Sequence, residues 1–152
     1  MRTLAFVLVL CPMMSFGMDR LSALSMIETG NNDRMVGRAG EISRYQILKR
    51  EWRSVTNSAR YADPETAKAV TLKLLDRRVQ QFQAVRNRPP TNFEFYALWN
   101  APAQVLEGRV SRVVADRCRR YANLCEWKGQ PAPVVAKVKD PAPLLLCQNQ
   151  AR

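Results

Sequence analysis

Apolar residues in this chain recur three and four positions apart, in runs that stop at Gly, Pro or Asn. No stretch alternates as a half-buried strand would. That period predicts an all-α fold. Leu21, Leu24 and Ile27, with Ser25 and Glu28 beside them, make the first stripe from Asp19 to about Thr29. Gly30 is placed to cap it in the left-handed conformation. A second amphipathic segment carries Ile42, Tyr45, Leu48, Trp52 and Val55. Asp63-Pro64 opens a third helix through Ala67, Val70, Leu74 or Leu75, Val79 and Phe82 to about Val85. Pro89-Pro90 breaks the chain, and Thr91-Asn92-Phe93-Glu94 reads as a capping box for a short helix through Tyr96, Leu98 and Trp99. Ala101-Pro102 ends that helix. A last one, from about Gln104 or Ser111, should bury Val110, Val113, Val114, Tyr121 and Leu124.

The helical part spans 18–128 and is long enough for one domain with a core, since 47% of the 152 residues are hydrophobic. Residues 1–17 read as a cleaved export signal: Arg2, an apolar run from Leu4 to Met14, then the small residues of Ser15-Phe16-Gly17. The run is short for a membrane span, and bulky Leu10 before Cys11 argues against a lipid-anchored N-terminus. An exported protein without stable membrane insertion follows, periplasmic or secreted. Residues 129–152, with Pro131, Pro133, Pro141 and Pro143, read as a flexible Pro-rich tail.

Charge and cysteine narrow the chemistry. Lys and Arg number 24 against 13 Asp and Glu, a net charge of +11 that falls by one with Arg2. For an exported chain the matching polyanions are cell-wall polymers and anionic surfaces rather than nucleic acid. The sequence holds no His, which excludes Ser-His-Asp and Cys-His catalysis and makes a zinc site improbable; no metal or cofactor is expected. Cys118 and Cys125 lie two turns apart, about 10 Å on a continuous helix, so a disulfide between them needs the helix to end near Asn123.

Three segments can carry chemistry. Glu28 closes an apolar helix, where burial and the negative end of the helix dipole both oppose its ionisation. A carboxyl kept protonated there can give a proton to a glycosidic oxygen, although a solvated helix-end Glu is the commoner role of such a residue. Gly37-Arg38-Ala39-Gly40-Glu41-Ile42-Ser43-Arg44-Tyr45-Gln46-Ile47 combines two glycines that allow backbone approach with an amide next to an aromatic. Tyr96-Ala97-Leu98-Trp99-Asn100-Ala101-Pro102 sets an aromatic beside an amide before a chain break. A plain loop and a buried Trp would account for these two just as simply.

In order and character the three segments resemble the signatures of the lysozyme-like superfamily, above all its lytic transglycosylases and goose-type lysozymes. Glu28-Thr29-Gly30 resembles the Glu-Ser-Gly motif, Gly37 to Ile47 the Gly-x-x-Gly-x-x-x-x-Gln-Ile motif, and Trp99-Asn100-Ala101-Pro102 the Tyr-Asn-Ala-Gly motif. The resemblance covers about residues 20–126. It implies a lysozyme-like helical domain that cleaves the β-1,4 bond between N-acetylmuramic acid and N-acetylglucosamine in peptidoglycan glycan strands. Glu28 would act as acid and then base, with Thr29, Glu41, Tyr45, Gln46, Trp99 and Asn100 binding substrate. The sugar's own 6-hydroxyl would close a 1,6-anhydro ring. If Glu41 or Asp33 holds a water instead, the outcome is hydrolysis, as in some goose-type lysozymes. The departures are Thr29 for Ser, the charged Glu41 and Arg44, Pro102 for Gly, and Trp99 for Tyr, which removes a phenol able to bond to the acid.

Two other classes fit parts of the chain. A silent wall-binding module would keep the fold without turnover. A basic nucleic-acid binder would gather cations on one face, for which Arg77-Arg78 and Arg117-Arg119-Arg120 are the candidates, but the export signal disfavours it. Nothing in the sequence calls for a partner subunit, so a monomer is expected.

Overall fold

Asp19 starts the first helix: its carboxylate accepts hydrogen bonds from the amides of Leu21 (3.0 Å) and Ser22 (3.1 Å), leaving fewer orphan donors in the first turn. The helix, α1, runs Arg20–Thr29. Gly30 (φ 63°) ends it in the left-handed conformation, with its N–H on the Met26 carbonyl at 3.0 Å. The computed structural model describes residues 17–127, so the tail at 129–152 and all but the last residue of the export signal lie outside the described residues.

The second amphipathic segment departs from the expected helix. Only α2, Lys49–Arg53, is helical there. Ile42 and Ile47 instead exchange both backbone hydrogen bonds (2.9 Å each) across a four-residue turn, with Ser43 (φ 64°) and Gln46 (φ 53°) in the left-handed region. The three-and-four spacing marked burial in part: Ile42, Tyr45 and Trp52 are buried, Leu48 and Val55 only half-buried, and Ile47, which lies off that period, is fully buried, because a tight turn and not a helix presents them. This bridge is isolated, and the described residues form no strand. The fold is all-α.

α3, Pro64–Arg86, begins with Asp63 accepting from the Thr66 amide at 2.9 Å and Pro64 in its first turn. α4, Asn92–Asn100, has the full capping box between Thr91 and Glu94. Arg88 clamps the same Glu94, at 2.8 and 2.6 Å; that ion pair, helped by Thr91, holds its carboxyl down to about 2. α4 stops at Asn100, before Ala101-Pro102, as expected, and Pro102 then opens a further short helix, α5, Pro102–Leu106. The last helix, α6, Arg112–Glu126, starts at Ser111, whose hydroxyl accepts from the Val114 amide.

α4 sits at the centre: Phe95, Tyr96, Ala97, Leu98 and Trp99 are all buried, enclosed by α3, α5 and α6, while α1 packs on α6. Each large side chain withdrawn this way contributes about 1.5–3 kcal/mol. In α6 Cys118 and Tyr121 are buried, with Val114, Leu124 and Cys125 half-buried beside them; Val113, expected inside, lies on the opposite side and is 73% exposed. Tyr121 ties α6 to α1 by donating to the Arg20 carbonyl at 3.0 Å. Because α6 continues to Glu126, Cys118 and Cys125 stay two turns apart, and both are free thiols. No helix among the described residues is long and apolar enough to cross a membrane.

Candidate active site

A groove of about 630 Å³ opens where the end of α1, the 35–50 segment, the end of α4 and the middle of α6 meet, and Glu28 lines it. The size suits a ligand of a few rings. Glu28 occupies the last turn of α1, so the helix that Gly30 terminates fixes where its carboxyl stands. The side chain is half-buried. Burial pushes its pKa above the usual carboxylate value, and the nearby Glu41 charge adds to this, while the Tyr96 hydroxyl and the Arg117 charge pull the other way. Tyr96, fully buried, donates its hydroxyl to Glu28 Oε1 at 2.8 Å.

Tyr96, which the motif at Trp99 did not single out, supplies the phenol that bonds to Glu28. It sits one helical turn before Trp99, on the same side of α4, and that i, i+3 spacing was the available signal. Burial first, then the Glu28 charge and hydrogen bond, raise the Tyr96 phenol well above its ordinary value, so it stays a proton donor across the working range.

Of the residues predicted to bind substrate, Glu41, Gln46, Trp99 and Asn100 come together with Glu28 along the groove. Gly37 makes room for two of them, because a Cβ there would collide with both the Glu41 carboxylate and the Gln46 amide. The Ala39 amide donates to Glu41 at 2.9 Å, and Gln46 donates to the Ser43 carbonyl at 3.1 Å. Trp99 is held by its indole N–H on the Tyr45 carbonyl at 3.1 Å.

Tyr45 and Thr29 are not in the groove. Tyr45 is buried, and what surface it keeps faces a separate hollow lined by α1 and the start of α3. The positive φ of Gln46 separates the two neighbours, sending Gln46 to the groove and Tyr45 away from it. Thr29 Oγ1 donates to the Arg44 carbonyl at 2.9 Å and accepts from the Asn32 amide at 3.1 Å, pinning the turn against α1. Its hydroxyl is a strut. Asp33 is also outside: Arg44 grips its carboxylate at 2.5 and 2.8 Å and keeps its pKa below the ordinary value. Of the two expected second carboxylates, Glu41 alone shares the groove with Glu28.

Arg78 was legible only as part of a basic pair, yet it is a building element of the groove. It is 9% exposed and pairs with Glu51 at 2.7 Å. It also donates to the Trp99 carbonyl at 2.8 Å, and its guanidinium lies 4.9 Å from the Trp99 ring centre. It thereby satisfies a carbonyl in the last turn of α4 and fixes the Trp99 ring. Arg78→Met is expected to lower stability by about 2–4 kcal/mol, because a half-buried carboxylate and a buried carbonyl lose their partner. Urea unfolding monitored by circular dichroism checks this, and a change below about 0.5 kcal/mol would contradict the assignment.

The basic clusters do not form one stripe. Arg117 turns to the groove, Arg119 pairs with Asp116 at 2.5 Å, and Arg78 is inside. Among the described residues no three of His, Cys, Asp or Glu converge to hold a metal ion. Comparison with protein-family models, with curated proteins and with solved structures found no match.

Proposed function

We propose that this chain is a peptidoglycan-cleaving enzyme of the lytic transglycosylase type, with Glu28 as its acid and then its base, acting outside the cytoplasm. The observation that carries the reading is the state of Glu28: a half-buried carboxyl on a groove, its proton favoured by burial and its orientation set by the Tyr96 hydroxyl at 2.8 Å. Neutral Glu28 gives its proton to the oxygen of the leaving sugar as the C1–O bond breaks. The 2-acetamido oxygen of the remaining sugar supports the positive charge that develops at C1. Ionised Glu28 then takes the proton of the 6-hydroxyl as that oxygen closes on C1, so the product is a 1,6-anhydro ring and Glu28 ends as it began. No second carboxylate is required.

Gln46 and Asn100 offer amides to sugar hydroxyl and acetamido groups, and the Trp99 edge offers an apolar surface. Hydrolysis is the second reading, and Glu41 is its specific support: with its carboxylate on the same groove it could hold a water for attack at C1. Mass spectrometry of products from purified wall sacculi separates the two, through anhydro ends or reducing ends. Sacculi left intact, with no soluble product of either kind, would refute both and favour a module that binds the wall without turnover.

The pH profile gives a further test. Glu28 must be protonated to act as an acid, so activity should fall as pH rises through its raised pKa. The Tyr96 hydroxyl stabilises the carboxylate, so Tyr96→Phe should raise that pKa further. The alkaline limb of kcat/KM is expected to move to higher pH, with a lower rate at the optimum because the carboxyl is less well oriented. A limb that stays in place or moves to lower pH would refute the pairing.

A further inference from the structure

The charges on the groove do not cancel. Arg38, Arg50, Arg78 and Arg117 line it, against Glu28, Glu41 and Glu51. Arg78 is neutralised by Glu51 at 2.7 Å, and Glu28 is bound by Tyr96. That leaves Arg38, Arg50 and Arg117 facing Glu41. None of these three arginines forms an ion pair with a carboxylate among the described residues. All three are exposed; Arg117 stands beside Glu28 and Tyr96, while the guanidiniums of Arg38 and Arg50 are free to close on a ligand. Beyond Leu48 and Arg50 the groove adjoins a shallow, mostly apolar depression formed by Ala39, Gly40, Leu48, Lys49 and Arg50, which adds Lys49 as a further cation beside a small apolar floor.

A wall glycan stripped of its stems offers the arginines only the lactyl carboxylate of each muramic sugar, held close to the ring, and offers the floor no apolar side chain. A glycan bearing short peptides with carboxylates and small apolar side chains answers both the cations and the floor. Resting on the function proposed above, we propose that the groove selects glycan strands that still carry their acidic peptide stems, with Arg38 and Arg50 binding stem carboxylates and the stem leaving over Leu48. Arg38 and Arg50 are specificity residues, while Arg117, beside Glu28, meets charge nearer the scissile bond.

The test is calorimetric titration of the full-length mature protein carrying Glu28→Gln, which leaves the glycan uncleaved. One probe is a soluble tetrasaccharide of the wall repeat with its peptide stems; the other is the same tetrasaccharide after amidase removal of the stems, which keeps a single lactyl carboxylate on each muramic sugar and loses the stem carboxylates and apolar side chains. The stem-bearing probe is expected to bind about tenfold or more tighter, as charge-assisted contacts of this kind provide. That preference should shrink at high salt and vanish when Arg38→Gln and Arg50→Gln are added. Equal affinity for both probes, a preference that survives the double change, or no binding of either probe would overturn the inference. Binding is read without turnover, so failure of the enzymatic reading is seen separately: wild-type protein would then show the stem preference yet leave both probes intact.

Discussion

Glu28→Gln is expected to leave a folded protein whose turnover of wall substrate is lower by at least about 10²–10⁴-fold, the usual worth of a positioned proton donor. The amide keeps the shape and can still accept the Tyr96 hydroxyl, but it has no proton to give the leaving oxygen. Zymography and release of soluble muropeptides would measure the loss, and turnover within tenfold of wild type would remove Glu28 from the mechanism. The same substitution should also raise stability at neutral pH. The folded-state pKa of Glu28 lies above its ordinary value, so between the two values the folded protein holds a proton that the unfolded chain has lost. Unfolding stability therefore falls as pH rises through that window, and above it the buried carboxylate is a standing cost. Gln avoids that cost. The variant should melt above wild type at pH 7 and lose the advantage below about pH 4, where both states of wild type are protonated. A group that costs stability and supplies activity is what a catalytic acid in a partly dry groove should be.

Trp52→Ala is expected to cost about 3–5 kcal/mol, a large share of the roughly 5–15 kcal/mol available to a domain of this size. Trp52 is fully buried, packs edge-on against Tyr61 with ring centres 5.2 Å apart, and donates its indole N–H to the Ser58 carbonyl at 2.7 Å. Truncation opens a cavity and orphans that carbonyl together. The loss should reach the groove as well. A helix as short as α2, Lys49–Arg53, has no independent stability, and Trp52 is the residue that seats it; on its other side α2 presents Arg50 and Glu51 to the groove. Thermal and urea unfolding would read the stability change. A loss below about 1 kcal/mol would mean that α2 is held by something other than Trp52. Trp52→Phe, which keeps most of the volume, should recover more than half of the loss.

Most of the helix boundaries were legible because they are local chemistry. The carboxylates of Asp19 and Asp63, the Thr91-Glu94 box and the left-handed Gly30 each act on amides or carbonyls within a few residues, so a reading along the chain finds them. The failures share one cause. Ile42, Tyr45, Leu48 and Trp52 have helical spacing, but the period speaks only to burial, and the Ile42–Ile47 turn buries Ile42 and Tyr45 by another path while leaving Leu48 half-buried on the groove. That turn is held from outside itself, by Thr29 on the Arg44 carbonyl and Trp99 on the Tyr45 carbonyl, across 15 and 54 residues of sequence. Val113 was misjudged for a related reason: two adjacent valines fit the stripe equally well until α1 and α4 chose the Val114 side.

By itself, then, the sequence determined that the chain is helical, where most of the helices begin and end, and that Glu28 stands at the end of an apolar one. Those properties depend on capping groups and periodicities that operate over a turn or two. The tertiary structure alone decided that Tyr96 reaches Glu28, that Arg78 is buried while Arg38 and Arg50 stay exposed with no ion pair among the described residues, and that Glu41 faces the groove while Asp33 is tied to Arg44. Each of those outcomes depends on which distant segments share a volume, and the pairing energies involved exist only once packing has brought the partners within hydrogen-bonding distance.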